Sequence, residues 1–214
     1  MNIGIIGDVH GNYDALKSVI DDMKENSIDS VIVLGDIIFS GNEPQMCFDA
    51  IQELKPIVWI KGNTDDWLNE IDEKFKPKTE IEDRLYKEFI KVNKTISMEV
   101  VKTIKRLKEK EEISIEGKKI LCVHGSERKI NEPIGIMMPQ KDIYELVKRL
   151  DYDILLCAHT HSPYIASFKG KLIMNVGCVG LPNDEPRASY GILRFDSDNF
   201  EYSIRRININ HSPY

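Results

Sequence analysis

The sequence predicts an α/β fold in a single domain that spans residues 1–214. Short apolar runs alternate with helical patterns early in the chain, as strands alternate with crossover helices in a mostly parallel sheet. After residue 161 the pattern changes to short alternating segments, which are typical of antiparallel strands and predict a second sheet. A chain of this length with 42% hydrophobic residues can bury one substantial core.

Five apolar runs indicate buried strands, because each is short and stops abruptly near polar residues. They cover residues 3–6, 31–34, 57–60, 120–123 and 154–158. Acids, histidines and an asparagine follow them, and these side chains bind divalent metal ions. Parallel sheets bind ligands at the carboxyl ends of their strands, so these residues mark the expected site.

The first two helices are predicted from apolar stripes at helical spacing. The first stripe consists of Leu16, Val19, Ile20 and Met23. Asn12 is placed to cap this helix, and Pro44 suits the first position of the second. The buried face of the second helix is expected to contain Met46, Cys47, Ala50, Ile51 and Leu54.

Residues 67–112 are predicted to be a helical insertion near the active site, because charged residues become dense and two amphipathic stripes appear. The stripes are Ile81, Leu85 and Phe89, followed by Val100, Ile104 and Leu107. The mixed charges of residues 102–112 are most simply a solvated helix face, in preference to a binding patch. The insertion is expected to wall the site and restrict substrate size, or to mediate self-association as a homo-oligomer.

The second half of the chain begins with a loop at residues 126–139 and continues into one more helix. The inward residues of this helix are expected to be Ile143, Leu146, Val147 and Leu150. The antiparallel strands are predicted at residues 164–168, 172–176, 190–195 and 201–207. The tail, residues 211–214, is expected to fray.

Composition limits the function classes and the partners. A net charge of −6 and a pI near 5.5 leave no excess of basic groups for nucleic-acid binding. Without a targeting signal or a run of about 20 apolar residues, we expect a cytoplasmic protein with no membrane partner. The cysteines lack C-x-x-C spacing and lie mostly in apolar runs, which favours buried free thiols over disulfides or zinc ligands. They are Cys47, Cys122, Cys157 and Cys178.

Asp8 and Asp36 need a compensating positive charge, because an unpaired buried carboxylate is strongly destabilising. No Lys or Arg is adjacent to either in sequence. Two divalent cations would offset both charges and leave a net positive site for an anionic substrate. The alternative is that each histidine is a satisfied core residue and each aspartate a helix cap. It gives no reason why four of the five histidines fall at strand ends.

Together the strand-end motifs resemble those of the calcineurin-like metallophosphoesterases, over nearly the whole chain. The motifs occur in the family's order, as Asp8-x-His10, Gly35-Asp36, Gly62-Asn63, His124-Gly125 and His159-x-His161. Residues 175–182 look like the loop of the small phosphodiesterase-like bacterial and archaeal members. The resemblance implies a four-layer α/β/β/α sandwich of two mixed sheets flanked by helices.

The resemblance also implies a centre of two divalent metal ions. One ion would be bound by Asp8, His10, Asp36 and His161. The other would be bound by Asp36, Asn63, His124 and His159, so that Asp36 bridges the two. Mn is the first choice, with Fe, Ni, Zn and Mg left open by the ligand types. The implied catalytic residues are Asp36, Asn63 and His124.

The implied reaction is hydrolysis of a phosphodiester or phosphoanhydride bond in a small, nucleotide-like substrate by a hydroxide that bridges the metals. The alternatives are a dinucleoside polyphosphate hydrolase, a phosphoprotein phosphatase and a non-catalytic protein-binding scaffold. Two departures from the family bear on the choice. Phe39-Ser40-Gly41 replaces the Asp-Arg-Gly of the protein and diadenosine tetraphosphate phosphatases, and Thr64 stands where many members have a histidine.

Four further residues are candidates for contact with the small phosphorylated substrate. Arg128 and Arg187 lie in loops near the motifs and could grip phosphate with two hydrogen bonds, although surface arginines are usually just solvated. Asn12 and Asn175 are candidates either for substrate contact or, with Gly177, for supporting the ligands and shaping their loops.

Overall fold

The helices and strands alternate along most of the chain in the computed structural model, which describes residues 1–72, 74–183, 186–196 and 199–209. The helices are α1 (Tyr13–Glu25), α2 (Pro44–Glu53), α3 (Trp67–Glu70), α4 (Glu80–Asn93), α5 (Met98–Arg106) and α6 (Gln140–Arg149). The strands are β1 (Asn2–Ile6), β2 (Ser30–Val33), β3 (Val58–Trp59), β4 (Lys110–Ile115), β5 (Lys118–Val123), β6 (Ile154–Cys157), β7 (Tyr164–Phe168), β8 (Lys171–Asn175), β9 (Arg187–Asp196) and β10 (Asn199–Asn208).

The strands form two mixed sheets of five strands each. The first has the order β10-β9-β1-β2-β3, in which β1, β2 and β3 are parallel and β9 is antiparallel to β1. The second has the order β4-β5-β6-β8-β7, in which β5, β6 and β8 are parallel and the edge strands are antiparallel. Each sheet therefore gathers the carboxyl ends of its parallel strands along one edge.

The two sheets pack face to face, because alternate residues from both meet in one buried cluster. This cluster includes Ile3, Ile5, Ile32, Ile120, Ile154 and Leu156. The opposite face of the first sheet, with Ile6 and Val33, packs against α1, α2, α4 and α5. Leu121 and Leu155, on the opposite face of the second sheet, pack under α6. These layers confirm the four-layer α/β/β/α sandwich.

The sequence pattern indicated that the four late strands form the second sheet by themselves, but the structure divides them between the two sheets. β7 and β8 lie in the second sheet, whereas β9 and β10 join the first sheet beside β1. The period-two pattern of a strand shows which of its faces is buried, but it carries no information about which strand will be its neighbour. The prediction of two sheets is right, and the prediction of their membership is wrong.

The helix caps follow the sequence, whereas two of the expected buried residues do not. The Asn12 side chain accepts a hydrogen bond from the Ala15 amide, and Pro44 opens α2. Met46 and Ile81 were expected in buried stripes but are 46% and 66% exposed. In α2 the buried face instead contains Phe48, beside the expected Cys47 and Ile51.

The predicted insertion ends earlier than residue 112. Its helices α4 and α5 pack Phe89, Val100 and Ile104 into the core on the outer face of the first sheet. Residues 102–112 are not one helix face, because α5 ends at Arg106 and β4 begins at Lys110. Pairing with β5 makes residues 110–115 an edge strand, and its alternate isoleucines pack on the cluster between the sheets.

The helices of the described residues include none that is long and apolar enough to cross a membrane. The four cysteines are buried and unpaired, in agreement with the sequence analysis. The predicted fraying of residues 211–214 concerns a tail that lies outside the described residues.

Candidate metal centre

The predicted metal ligands meet where the carboxyl ends of strands from both sheets converge. Asp8 follows β1 and Asp36 follows β2, while His124 and His159 follow β5 and β6 of the other sheet. Hydrogen bonds across the sandwich fix this meeting point. The His159 amide donates to Asp8 Oδ2 at 2.9 Å, and His124 Nδ1 lies 2.7 Å from the Leu34 carbonyl oxygen.

Five of the seven predicted ligands have left-handed backbone conformations that non-glycine residues rarely adopt. The φ angles are +53° at Asp8, +50° at His10, +55° at Asp36, +66° at His159 and +56° at His161. Such a conformation destabilises a non-glycine residue by about 1 kcal/mol or more and persists only where the surroundings impose it. The concentration of backbone strain at these residues is typical of a functional site.

Two glycines allow the ends of β2 and β3 to approach each other closely. Gly35 has a φ of +89°, and a Cβ atom there would collide with the backbone of Gly62. A Cβ atom on Gly62 would collide with the carboxylate of Asp36. Gly35 therefore makes room for the backbone that leads to Asn63, and Gly62 makes room for the Asp36 carboxylate.

Asp8 is fully buried and directs one oxygen into the centre. Its Oδ1 accepts no hydrogen bond from the described residues. Three imidazole nitrogens surround this oxygen, with His161 Nε2 at 3.3 Å, His10 Nε2 at 3.6 Å and His124 Nε2 at 3.9 Å. A buried carboxylate oxygen without a hydrogen bond is costly unless a positive charge binds it.

Asp36 lies between the histidines that the family resemblance assigns to different cations. Its Oδ2 lies 3.4 Å from His124 Nε2 and 3.9 Å from His10 Nε2. Its Oδ1 accepts a hydrogen bond of 2.8 Å from the Thr64 amide. Asn63 Oδ1 lies 3.1 Å from His124 Nε2. Asp36 therefore lies near ligands of both expected groups, and its bridging role stays a prediction.

The imidazoles are oriented by backbone carbonyl groups on their outer sides. His10 Nδ1 faces the carbonyl oxygen of Phe39 at 3.0 Å, and His161 Nδ1 faces that of Leu181 at 2.7 Å. His124 Nδ1 faces the Leu34 carbonyl oxygen in the same way. All three rings therefore donate Nδ1–H outward and turn Nε2 inward. In its neutral form each ring then presents a lone pair to the centre, as a metal-binding histidine does.

The helical insertion also helps to orient His10, because two of its aromatic residues pack against Phe39. The ring of Phe39, whose carbonyl orients His10, is tilted against Trp67 and stacks on Phe89, with ring centroids 5.1 Å and 6.1 Å away. Trp67 belongs to α3 and Phe89 to α4. The insertion thus holds one ligand from behind, and its expected role in restricting substrate size stays a prediction.

Without a bound cation, the charges of the centre compensate each other through protons. Burial is the largest effect on Asp8 and Asp36 and raises the pKa of each, but the charge of His124 and the interactions with the other histidines together outweigh it and lower both pKa values. Burial opposes a charge on His124 as well, yet Asp36 and Asp8 raise its pKa to about 10. The pKa of His10 is raised by the same two carboxylates, while burial and then His124 lower that of His159. Protons on His10 and His124 therefore stand where cations would bind.

The donor atoms form two compact groups that share Asp8. One group contains Asp8, His10 and His161, and the other contains Asp8, Asp36 and His124, with donors within 4.8 Å of one another. His159 was expected with the second group, and its ring lies edge-on to His124 with centroids 5.2 Å apart. Carboxylate oxygens and imidazole nitrogens suit Mn, Fe, Ni, Zn or Mg. The residues therefore fit divalent cations.

Asp65 holds the centre together in a way that sequence analysis missed. It is fully buried and accepts hydrogen bonds from the amides of Asp36 (2.7 Å), Ile37 (3.0 Å) and Gly62 (3.0 Å). Burial and the charge of Asp36 raise its pKa to about 6. The acidic residue directly after Asn63-Thr64 was the available signal, because such side chains often accept bonds from nearby backbone amides.

Asn12 and Asn175 use their side chains to join segments of the protein. The Asn12 amide caps α1 and donates to the Gly180 carbonyl at 2.9 Å. Asn175 is fully buried, and its Nδ2 donates to the carbonyls of Ile134 and Ala158, both at 2.7 Å. Its Oδ1 accepts from the Gly177 amide. Asn175 thus positions the turn that carries His159, and its contact with substrate stays a prediction.

The two candidate arginines lie in different settings. Arg128 has a 65% exposed side chain that is already paired with Glu132, at 2.5 Å between Nη2 and Oε1. Arg187 is the first residue of β9, which runs antiparallel to β1, so it lies at the same sheet edge as Asp8. A phosphate contact at Arg128 would compete with its carboxylate partner, whereas contact at Arg187 stays a prediction.

Both the sequence and the fold match known proteins. The sequence profile of the calcineurin-like phosphoesterase superfamily domain matches residues 1–198. The uncharacterized protein MJ0912 of Methanocaldococcus jannaschii is 28% identical over 225 aligned residues, which cover 96% of this chain and 86% of that protein. The crystal structure of hypothetical protein PH1004 from Pyrococcus horikoshii OT3 superposes with a TM-score of 0.84 at 20% identity, covering 98% of this chain and 88% of that one. That of a metallophosphoesterase from Sphaerobacter thermophilus superposes with a TM-score of 0.72 at 26% identity, covering 98% and 89%.

Proposed function

The chain belongs to the calcineurin-like phosphoesterase superfamily, and from this premise we propose its reaction and its substrate class. It hydrolyses phosphodiester or phosphoanhydride bonds of small, nucleotide-like substrates, with two divalent cations as cofactors. Mn is the first choice among Mn, Fe, Ni, Zn and Mg. The observation that carries the proposal is Asp8 Oδ1, a buried carboxylate oxygen that accepts no hydrogen bond from the described residues and faces three imidazole nitrogens.

The protein's own groups prepare the centre for an anionic substrate. One cation would be held by Asp8, His10, Asp36 and His161. The other would be held by Asn63, His124 and His159 together with Asp36, which both cations would share. Bound cations supply Lewis-acid activation of the phosphoryl group and of the attacking water. The carbonyl groups behind His10, His124 and His161 keep the inward nitrogens available, which preorganises the ligands before substrate arrives.

The residues that follow Asn63 are poorly placed to protonate a leaving group. The Thr64 hydroxyl is buried and makes no hydrogen bond with the described residues. Both carboxylate oxygens of Asp65 accept bonds from backbone amides. A general acid contributes most when the leaving group is strongly basic, so we infer that this enzyme favours weakly basic leaving groups such as aryl oxides and phosphates.

The alternatives receive less support. Ser40 stands where phosphoprotein phosphatases of the resembling family have an arginine, which favours small substrates over phosphoproteins. A non-catalytic scaffold with a decayed centre would lack ligands, whereas every expected ligand position is filled in this chain. A dinucleoside polyphosphate hydrolase is the second candidate, because a phosphoanhydride also has a weakly basic leaving group.

The proposal is tested with protein freed of metal by chelation and reloaded with Mn²⁺, Mg²⁺, Ni²⁺ or Zn²⁺ in turn. Each form is assayed on nucleotides, cyclic nucleotides, dinucleoside polyphosphates and phosphopeptides, and its metal content is measured by mass spectrometry. We expect metal in stoichiometric amount together with hydrolysis of nucleotide-like diesters or anhydrides. Protein that binds no divalent metal, or that binds metal but hydrolyses none of these compounds, would contradict the proposal.

A further inference from the structure

A cleft opens beside His159, on the outer side of the metal centre. Its volume is about 490 Å³, and its walls include Ile136, Met137, Met138, Thr160 and Asn183. Ile136 and Met137 are 66% and 92% exposed although both are large and apolar. We call this space the apolar cleft.

The apolar cleft is fixed in position relative to the metal centre. Its exposed residues form a tight turn in which the Met138 amide donates to the Gly135 carbonyl at 2.9 Å. The preceding Ile134 is buried, and its carbonyl accepts a hydrogen bond from Asn175 Nδ2. The same Nδ2 donates to Thr160 Oγ1 at 2.9 Å, next to His159. A ligand in the cleft would therefore lie at a defined place beside the proposed cation ligands.

The charges around the cleft select against a second phosphate group. Its walls include the carboxylates of Glu132 and Asp142 and contain no lysine or arginine among the described residues. Glu132 is paired with Arg128, while the exposed Asp142 side chain makes no ion pair or hydrogen bond with the described residues. Methionine thioethers make favourable contacts with aromatic rings, and a carboxylate at the rim accepts hydrogen bonds from ring N–H or amino groups.

We propose that the apolar cleft binds an uncharged aromatic ring on one ester group of a phosphodiester whose phosphate lies at the metal centre. This inference rests on the proposed function and narrows it. Substrates with one phosphate and a ring are favoured over dinucleoside polyphosphates, whose additional phosphates would meet Asp142 and Glu132. Ile136 and Met137 are the residues that contact the ring.

The test compares two diesters with the same leaving group, methyl p-nitrophenyl phosphate and phenyl p-nitrophenyl phosphate. We expect kcat/KM to be about tenfold higher for the phenyl ester, the effect of burying roughly 60 Å² of apolar ring surface. The combined substitution Ile136→Ala and Met137→Ala should remove this preference by lowering kcat/KM for the phenyl ester about tenfold relative to that for the methyl ester. Met98→Ala is the matched control, because Met98 is 67% exposed on the separate helix α5.

A second pair of variants tests whether the negative charge of Asp142 disfavours substrates with several phosphate groups. Asp142→Lys should raise the rate on diadenosine tetraphosphate relative to that on phenyl p-nitrophenyl phosphate. Glu99→Lys makes the same charge change in the first turn of α5 and should leave the ratio unchanged. An unchanged ratio in Asp142→Lys would contradict the proposed selection against polyphosphates.

The outcomes separate this inference from the proposed function. Hydrolysis of both esters at equal kcat/KM would overturn the role of the cleft and leave the hydrolase proposal standing. If neither ester were hydrolysed, calorimetry with phenylphosphonate and methylphosphonate on the Mn²⁺-loaded protein would still decide the question. Binding of phenylphosphonate about tenfold more tightly, lost with the Ile136 and Met137 substitutions, supports the cleft, and equal binding contradicts it.

Discussion

The Nε2 atoms of His10 and His161 face each other at 3.0 Å. Each ring donates its Nδ1–H to a backbone carbonyl, so two neutral rings would bring two lone pairs together. A positive charge must lie near both nitrogens, and either a proton or a divalent cation can supply it. The centre is therefore a place where protons and metal ions compete.

Cation binding should release protons and strengthen as the pH rises. Because the pKa of His10 is raised and that of His124 is about 10 in the absence of metal, cations must displace protons from these rings. The apparent affinity should then increase by about tenfold per pH unit for each proton displaced. Calorimetric titrations with Mn²⁺ at pH 6, 7 and 8, each in two buffers of different ionisation enthalpy, measure this release. Proton release near zero at every pH would contradict it.

The metal-free protein should show the opposite dependence of stability on pH. The His124 pKa is raised from an unfolded value near 6.5 to about 10. Its contribution to stability is thus fully present below about pH 6.5 and is lost as the pH rises through 10. Thermal unfolding in EDTA should therefore show a Tm that falls between pH 7 and pH 10. His124→Asn should flatten the curve, and an equally steep fall in that variant would assign the effect to other groups.

Asp36→Asn should abolish hydrolysis and weaken metal binding at both positions. The substitution keeps the shape of the side chain but removes the negative charge that lies between His10 and His124. Metal content by mass spectrometry and the hydrolysis rate are the measurements, with circular dichroism to show that the fold is retained. Asp14→Asn is the matched control, since Asp14 is exposed on α1. Wild-type metal content and hydrolysis rate in Asp36→Asn would contradict the assignment of Asp36 as a ligand of both cations.

Asp65→Asn should destabilise the protein by about 1–3 kcal/mol, because the new amide group would turn a donor toward backbone amides that now find an acceptor. Urea unfolding of the metal-free protein measures this effect. Asp72 also accepts a backbone hydrogen bond, from the Lys74 amide, but it is exposed. Asp72→Asn should therefore stay within about 0.5 kcal/mol of wild type. Equal effects of the two substitutions would mean that Asp65 is not a structural clamp.

The rate should depend steeply on the leaving group, because neither Thr64 nor Asp65 is placed to donate a proton. In a series of phosphodiesters that differ only in leaving-group pKa, we expect kcat/KM to fall as that pKa rises. Thr64→His should rescue the slow members, since a positioned general acid typically contributes about 10²–10⁴-fold. A shallow slope in the wild type would show that another group already donates the proton.

The sequence is sufficient to locate the centre because its signal is local. A buried strand that ends in Asp8, Asp36, His124 or His159 is visible as an apolar run followed by a ligand. Parallel pairing then brings such ends together whatever the order of the strands. The family resemblance supplied the grouping of ligands, and the structure places Asp8 in both compact groups.

Other features could not be predicted from the sequence, because they depend on contacts with residues that are distant along the chain. The strand at residues 110–115 is charged and lies at a sheet edge, so its pattern resembles a solvated helix until β5 pairs with it. Asn175 has the polarity of a ligand-binding residue, yet its partners are carbonyls brought near by the loops at residues 134 and 158. Met46 and Ile81 were misplaced because spacing alone does not settle how far a helix rotates on the sheet.

The antiparallel pairing of β1 with β9 has a consequence for synthesis of the chain. During synthesis residues 2–5 leave the ribosome long before their partners, residues 191–194, emerge. Until then the growing polypeptide presents an unpaired hydrophobic edge, which is a template for association with other chains. His159 and His161 also emerge after the ligands of the first sheet. The complete centre therefore cannot assemble until both sheets have been synthesised, however early the first sheet begins to fold.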